Sequence, residues 1–270
     1  MKIATFNVNG IRSRLHQLQQ LITKHRPDII AVQEIKCVDD AFPYAAIEEL
    51  GYHSEVFGQK GHYGVALLSL KKAVDVRRNF PGSDAQAQRR LIVGTWVDAQ
   101  KRPLVVMNGY FPQGESREHP EKFPAKQKFY ADLLAYLKSD FKPSDNLLIV
   151  GDMNVAPTDL DIGIGDKNAQ RWLKTGKCSF LPEEREWLNR LLAWGTRDLY
   201  RELHPDCNKW FSWFDYRSGG FEDEPRRGLR IDLMLATASL RERCVSATID
   251  YEIRGMEKHS DHAPALVEFD

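Results

Sequence analysis

Polar side chains that could carry hydrolytic chemistry follow apolar runs at several points in this sequence. Each is a carboxylate, carboxamide, phenol or imidazole beside a turn, and the set comprises Asn7, Glu34, Tyr110, Asp152, Asn154, Asp232, Asp261 and His262. Taken singly, most fit ordinary turns or caps, where Asn and Asp are favoured. Taken together they predict one functional cluster, because unpaired charges at the ends of apolar strands are costly to bury.

The donor types in this set favour a hard divalent cation. Asp, Glu and Asn oxygens suit Mg²⁺ or Mn²⁺, and the set contains no cysteine. His259 with His262, or His204 with Cys207, supplies only half of a zinc site, so zinc is disfavoured. A cation held by carboxylates beside a histidine suits hydrolysis of a phosphate ester. A carboxylate would activate water, and a cationic or hydrogen-bonding group would stabilise the developing negative charge.

The elements that must position these residues are mostly strands. Residues 2–8 alternate as a strand does, residues 15–22 carry leucines at helical spacing, and residues 29–32 form a buried-strand run. Strand, helix and strand within ~30 residues predict a βαβ unit, whose parallel strands end at one edge of the sheet. The other predicted strands are 64–69, 91–97, 104–108, 147–150, 231–236, 245–249 and 263–269. Helices are predicted at about 122–138 and 183–194, and long loops at 109–120 and 210–228, where such loops are usually functional or mobile.

Length and composition restrict the class of protein. The 270 residues are 42% hydrophobic and 28% charged, which excludes disordered, collagen-like and coiled-coil chains. We expect a single α/β or α+β domain spanning residues 1–270. No apolar run approaches the ~18 residues of a membrane span, and the N-terminus does not look like a signal peptide. We therefore expect a soluble cytoplasmic protein whose four scattered cysteines are reduced.

The charge is balanced overall but uneven along the chain. Lys plus Arg and Asp plus Glu each number 38, so a passive nucleic-acid coating protein, which is usually basic, is disfavoured. Eight basic residues lie between Lys71 and Arg102 against three Asp, and Arg226, Arg227 and Arg230 form a second group. Each group alone is more often a solvated face than a phosphate site. The P-loop and the nucleophile-elbow motif are both absent from the sequence.

Seven motifs occur in the order of one known family, and the match to that family runs from residue 3 to residue 269. They are Asn7-Val8-Asn9-Gly10, Gln33-Glu34-Ile35-Lys36, Tyr110-Phe111-Pro112-Gln113-Gly114, Gly151-Asp152-Met153-Asn154, Trp213-Phe214-Asp215-Tyr216-Arg217, Leu229-Arg230-Ile231-Asp232 and Ser260-Asp261-His262. The chain resembles the bacterial exonuclease III family of abasic-site endonucleases, in the exonuclease–endonuclease–phosphatase superfamily. The Trp-Phe-Asp-Tyr-Arg and Leu-Arg-Ile-Asp runs are typical of the DNA-repair branch.

This resemblance implies a fold and an activity. The implied fold is a four-layer α/β/β/α sandwich of two packed, mixed β-sheets with flanking helices, in a monomer. The implied activity is metal-dependent incision of duplex DNA 5′ to abasic sites. It also includes removal of nucleotides or blocking groups from 3′ ends, by attack of water on the phosphodiester.

The resemblance also implies roles for individual residues. Glu34 is similar to the main metal ligand of the family, helped by Asn7 and Asp261, and Asp152, Asn154 and His262 are also expected among the metal ligands. Asp152 would activate water, Asn154 would orient the nucleophile, Tyr110 would contact the phosphate and Asp232 would orient His262. The sequence leaves open which group is the base and which the acid. The expected DNA contacts are Arg89, Arg90, Gln113, Trp213, Leu229, Arg230 and Ile231, of which Trp213, Leu229 and Ile231 would form a pocket for a sugar without its base.

Two other functions use the same features. A phosphatase acting on inositol phosphates or phospholipids could use the same catalytic set, but it would not need the Trp213 loop or the basic groups. A non-catalytic DNA-binding module predicts loss of the carboxylates, and in this sequence all are present.

Overall fold

Two six-stranded sheets form the centre of the computed structural model, which describes residues 1–98 and 101–270. In the first sheet the strand order is β11-β12-β1-β2-β4-β3, and in the second it is β5-β6-β7-β8-β10-β9. The strands are β1 (Lys2–Asn7), β2 (Ile29–Gln33), β3 (His53–Phe57), β4 (Val65–Ser69), β5 (Asp75–Arg78), β6 (Leu91–Val97), β7 (Pro103–Tyr110), β8 (Leu147–Asp152), β9 (Thr196–Asp198), β10 (Asp232–Thr237), β11 (Cys244–Ile249) and β12 (Ala265–Phe269).

Eight helices accompany the sheets in the part of the chain that the structure describes. They are α1 (Ile11–His25), α2 (Tyr44–Glu48), α3 (Lys122–Asp140), α4 (Asp166–Thr175), α5 (Pro182–Gly195), α6 (Leu199–Leu203), α7 (Ala238–Arg241) and α8 (Tyr251–Arg254), with 3-10 turns at Asp39–Ala41 and Asp159–Asp161. Within the described residues, none of these helices combines the length and apolar character needed to cross a membrane.

Three apolar clusters make four layers of these elements. The inner faces of the two sheets share one core, which includes Ile3 and Leu67 from the first sheet and Val106 and Leu148 from the second. The outer face of the first sheet packs against α1 and α8. The outer face of the second packs against α3 and α5. The predicted α/β/β/α sandwich is therefore confirmed, while the single domain over residues 1–270 stays a prediction.

Each sheet contains one parallel strand pair, and this feature creates a common rim. β1 pairs with β2 as the βαβ pattern predicts, with Asn7 opposite Gln33. β7 pairs with β8 in the second sheet, and α3 is the connection between these two strands; Tyr110 is opposite Asp152. Since parallel strands end at one edge, the polar residues that follow them are brought to that edge. The antiparallel strand β10 begins there too, because Asp232 is opposite Asp152.

The predicted elements agree with the structure except in polar segments. The helices predicted at 122–138 and 183–194 are confirmed within two residues. The loop predicted from Gly109 is wrong at its start, since Gly109 and Tyr110 are the last residues of β7. The strands β3 and β5 were not predicted. Both are edge strands that carry polar or charged residues, and they lack the apolar pattern of a central strand.

Buried carboxamides connect the two sheets just below the rim. Asn108 of β7 donates from Nδ2 to the carbonyls of Val32 (3.0 Å) and Ala66 (2.8 Å) in the first sheet. Gln33 donates from Nε2 to Asn108 Oδ1 at 2.7 Å. Buried amides are costly unless their hydrogen bonds are made. This pairing therefore fixes how the two sheets lie relative to each other at the site.

Gly151 allows β7 and β8 to approach each other closely next to Asp152. Its φ is 135°, and a Cβ at this position would lie 1.9 Å from the carbonyl oxygen of Gly109. The backbone of Gly151 fixes the position of the Cβ, and the Gly109 oxygen is itself backbone that is held in the sheet. A rotation of a side chain therefore cannot relieve the overlap.

Gly151→Ala is expected to lower the free energy of unfolding by at least about 3 kcal/mol, because backbone strain and steric overlap add. The matched control is Gly61→Ala, at an exposed turn with φ 77° and no heavy atom within 4 Å of the added Cβ. It should cost only about 1–2 kcal/mol. Urea denaturation measures both. Equal losses would contradict the proposed overlap.

Candidate active site

Asp152, Asp232 and His262 form a buried triad at the rim. His262 Nδ1 lies 2.7 Å from Asp232 Oδ2, and His262 Nε2 lies 3.7 Å from Asp152 Oδ2. Asp152 ends β8 and Asp232 begins β10, so the sheet register places the two carboxylates side by side. The Ser212 hydroxyl accepts the backbone N–H groups of Ile231 (3.0 Å) and Asp232 (2.9 Å) and fixes the start of β10.

The triad sets the protonation states of its members. Burial disfavours charged His262, but Asp232 and Asp152 outweigh burial and raise the pKa of the imidazole to about 10. Burial raises the pKa of Asp152 to about 7, opposed by the charge of His262 and assisted by that of Asp232. At neutral pH His262 is therefore an imidazolium, and Asp152 is close to the midpoint of its titration.

A second chain of hydrogen bonds connects the ends of β1 and β2 to the triad. Asn7 donates from Nδ2 to Asp152 Oδ2 at 2.9 Å. Asn9 extends this chain of hydrogen bonds. Its backbone N–H donates to Asn7 Oδ1 (3.0 Å), and its Nδ2 donates to Asp261 Oδ1 (2.8 Å). Lys36 Nζ lies 2.9 Å from Glu34 Oε1. No role at the site was predicted for Asn9 or Lys36, although each is two residues from a predicted metal ligand.

Two of the site residues have left-handed backbone conformations. Glu34 has φ 56° and Asn154 has φ 53°, a region that costs about 1–3 kcal/mol per residue and persists only where other contacts impose it. For Asn154 these contacts include its backbone N–H to Asp152 Oδ1 and its Nδ2 to the carbonyl of Phe111, both 3.0 Å. The backbone at both residues is thus held in place for the sake of the side-chain position.

Tyr110 lies against a buried arginine. Burial and the nearby charges of Glu34 and Asp152 raise the pKa of Tyr110 well above its ordinary value, so it stays a hydroxyl. The Arg90 guanidinium stacks 4.0 Å from the centre of the Tyr63 ring and 4.9 Å from that of Tyr110, and donates to the carbonyl of Tyr110. Arg90 is only 7% exposed, so in this structure it supports Tyr110.

A cleft of about 290 Å³ adjoins the triad. Its lining includes Gln113, Asn154, Lys177, Trp213, Arg217 and Ile231. Trp213 is half-buried, whereas its neighbours Phe211 and Phe214 belong to the core. Trp213 donates from Nε1 to Asp261 Oδ2 at 3.0 Å and pairs through its backbone with His262 and Leu229. The structure therefore brings Trp213 and Ile231 to the triad, while Leu229, 1% exposed, lies beneath them.

The expected contact of Arg230 with DNA is corrected by the structure. Its side chain is 1% exposed, and its guanidinium is bound by Asp161 (Nε to Oδ1, 2.6 Å) and Asp198 (Nη2 to Oδ2, 2.6 Å). The group is therefore used inside the protein, where it fixes the segment that carries Leu229 and Ile231. Arg89 remains 40% exposed and pairs with Asp39 at 3.5 Å. The sequence showed that both are basic but not which one is buried.

Two groups of side chains carry atoms that could bind a cation. One is the triad, whose ligand atoms lie within 4.8 Å of one another. Its imidazole is held protonated by Asp232, whereas a metal-bound histidine must be neutral. The other is Glu34 with Asn7 and Asp261, which offers the carboxylate and carboxamide oxygens that Mg²⁺ prefers. The Glu34 side chain is 18% exposed, so the residues fit an oxygen-bound cation on the Glu34 side.

In the metal-free protein, the His262 imidazole should titrate near pH 10, and in Asp232→Asn at least ~2 pH units lower, because one carboxylate is lost. Histidine NMR signals followed against pH measure this, with Asp215→Asn as the control. Because folding raises this pKa, its stabilising contribution is full below pH 6.5 and lost as pH rises through about 10. An unchanged titration in Asp232→Asn would contradict the assignment.

Comparison with known proteins finds relatives along the whole chain. The sequence is 56% identical over 269 residues to Exodeoxyribonuclease III of Haemophilus influenzae, covering 100% of both chains. An AP endonuclease from Archaeoglobus fulgidus superposes with a TM-score of 0.90 and 36% identity, over 100% of this chain and 99% of that one. A 3′ phosphatase from Neisseria, bound to a product DNA hairpin, superposes with a TM-score of 0.90 and 35% identity, over 100% and 99%.

These likenesses support a DNA-repair nuclease function. The model of the Endonuclease/Exonuclease/phosphatase family, which is metal-dependent, matches residues 4–262 and so includes every member of the triad. The chain therefore belongs to the Endonuclease/Exonuclease/phosphatase family.

Proposed function

We propose that this protein hydrolyses phosphodiesters of duplex DNA, 5′ to abasic sites and at 3′ ends, with Mg²⁺ or Mn²⁺ as the cation. The observation that carries the proposal is the cleft lined by Trp213 and Ile231 beside Asn154. A sugar without its base leaves the helix cheaply because it has no stacking or pairing to break. An aromatic and an aliphatic wall would accept its compact apolar face and exclude a complete nucleotide.

The protonation states of the triad suit attack by water. Asp152, with a pKa of about 7, is the proposed general base, since a base is most effective when its pKa is near the working pH. His262 carries a proton and a positive charge 3.7 Å from Asp152, where the phosphate oxygens gain negative charge. Asp232 keeps that proton on the imidazole. Tyr110 would donate its hydroxyl to the phosphate.

Glu34, Asn7 and Asp261 are the proposed cation ligands. Bound there, a divalent ion would polarise a phosphoryl oxygen and neutralise its charge. Asn154 would orient the nucleophile from the neighbouring wall, and the exposed cations Lys177 and Arg217 at the cleft would attract the phosphate backbone. A monomer suffices for this chemistry because all the proposed residues come from one chain. The cytoplasmic location belongs to the same proposal, because the substrate is cellular DNA.

The test uses duplex DNA with one abasic site, incubated with and without Mg²⁺. We expect one nick 5′ to the site, only with metal. Glu34→Gln should need roughly tenfold more Mg²⁺ or higher for half-maximal rate, since even outer-shell partners contribute 10–100-fold to metal affinity. The control is Glu48→Gln on the exposed face of α2. Equal cleavage of intact DNA, preference for inositol phosphates or phospholipids, or an unchanged Mg²⁺ titration would each count against the proposal.

Trp213→Ala should weaken abasic incision by ~1–3 kcal/mol in transition-state terms, the usual size of one stacking contact. Its melting temperature should change little, because the ring borders a cleft and is only half-buried. The control is Trp210→Ala, whose ring is 43% exposed and stacks on Tyr251. Steady-state kinetics and thermal melting are measured together. A large loss of stability with normal cleavage at low temperature would show that Trp213 is a core residue.

A further inference from the structure

A buried ammonium lies directly behind Asn154. Lys126 of α3 has no exposed surface, and its Nζ donates to the carbonyl oxygens of Asn154 (2.8 Å) and Gln113 (3.2 Å) and to the carboxylate of Glu184. These three acceptors match the three hydrogens of an ammonium group. All three acceptors belong to the protein, so its own atoms define the geometry around Nζ.

A residue one turn further along α3 binds the carbonyl of Met153, which precedes Asn154. Tyr130 lies four residues after Lys126, on the same face of α3. Its hydroxyl donates to the carbonyl of Met153 at 2.8 Å. Two consecutive carbonyls after β8 are therefore bound from one helix. Phe129 and Leu133 anchor that helix in the apolar core of the second sheet.

Lys126 also joins the two walls of the cleft. Asn154 and Gln113 both line it, one from the segment after β8 and the other from the segment after β7. The chain at Gly114 runs close to the lysine, because a Cβ there would lie 3.0 Å from Lys126 Cδ. A single ammonium therefore bridges the segments that follow the two strands.

The buried ion pair between Lys126 and Glu184 is not explained by a contribution to the stability of the fold alone. Replacing a buried pair by apolar residues is often neutral or stabilising, because desolvation offsets the attraction between the charges. Glu184 has its own role, since its second oxygen accepts the backbone N–H of Leu181 (2.8 Å) at the start of α5. The two carbonyl contacts of Lys126 are what an apolar side chain could not supply.

We propose that Lys126 is a positioning residue for the hydrolysis of DNA, acting through the backbone of Asn154 and Gln113. The inference rests on the proposed function for its kinetic readout. Asn154 is held in a left-handed conformation, and Lys126 supplies the contact to its carbonyl. Without that contact the residue relaxes, and Asn154 and Gln113 no longer line the cleft at a fixed separation.

The test compares Lys126→Met alone with the double variant Lys126→Met/Glu184→Gln. The single variant leaves a buried carboxylate uncompensated and should melt at a lower temperature. The double variant removes that charge, keeps an acceptor for Leu181 and should regain the melting temperature. Its kcat on abasic duplex should still be ~10²-fold below the parent's, as for a small displacement at a reacting centre. The affinity for uncleaved abasic DNA in EDTA should change less than kcat.

A second readout does not depend on catalysis. Amide hydrogen exchange in residues 153–156 should be faster in the double variant than in the parent. The matched control is Lys128→Met, on the same helix but in an exposed pair with Asp132, which should alter neither exchange nor kcat.

Recovery of both melting temperature and kcat in the double variant would overturn the proposal, since Lys126 would then only balance Glu184. Unchanged exchange would overturn it too. If the methionine variants do not fold, Lys126→Gln combined with Glu184→Gln decides, because the pair stays polar and uncharged while the shorter side chain withdraws the donor from the two carbonyls. Faster exchange and lower kcat in that variant support the proposal, and parent values overturn it. If the parent itself does not cleave abasic DNA, the proposed function fails, and the exchange experiment still tests the positioning role.

Discussion

One hydrogen bond, from the carboxamide of Asn7 to the carboxylate of Asp152, joins the central strands of both sheets at their carboxyl ends. Both groups are buried, so water does not compete for the bond, and an unpaired Asp152 would be costly. The other site residues are arranged on its two sides, with Asp232 and His262 on one and Asn9 with Asp261 on the other. Asn108 and Gln33 repeat the arrangement one layer below.

The balance of charge in the chain has a local explanation. A few of its basic residues are used internally, as in the pairing of Arg230 with two aspartates and of Lys126 with Glu184. Arg90 is enclosed by tyrosine rings. The net charge of zero therefore says little about the potential at the cleft. The charged residues that line the cleft are the cations Lys177 and Arg217 and the carboxylate Asp215.

The sequence predicted the rim better than it predicted what supports the rim. Asp152 and Glu34 were found because each directly follows an apolar run, and a parallel sheet converts that local pattern into proximity. The role of Lys126 was not predicted, since its partner Glu184 is 58 residues away and burial across that distance leaves no local signature. Arg230 was misassigned for the same reason. Edge strands such as β5 were missed because their stability comes from pairing with a neighbour and not from apolar periodicity.

The strand β12 lies beside β1, so the sheet that carries Glu34 is completed by residues 265–269. Asp261 and His262 lie just before that strand, separated from it by Ala263 and Pro264. During synthesis on the ribosome, the segment with Asn7 therefore emerges long before Asp261 and His262. Contacts of such long sequence separation form late in folding. A chain released before residue 261 therefore lacks Asp261 and His262 as well as the strand that pairs with β1.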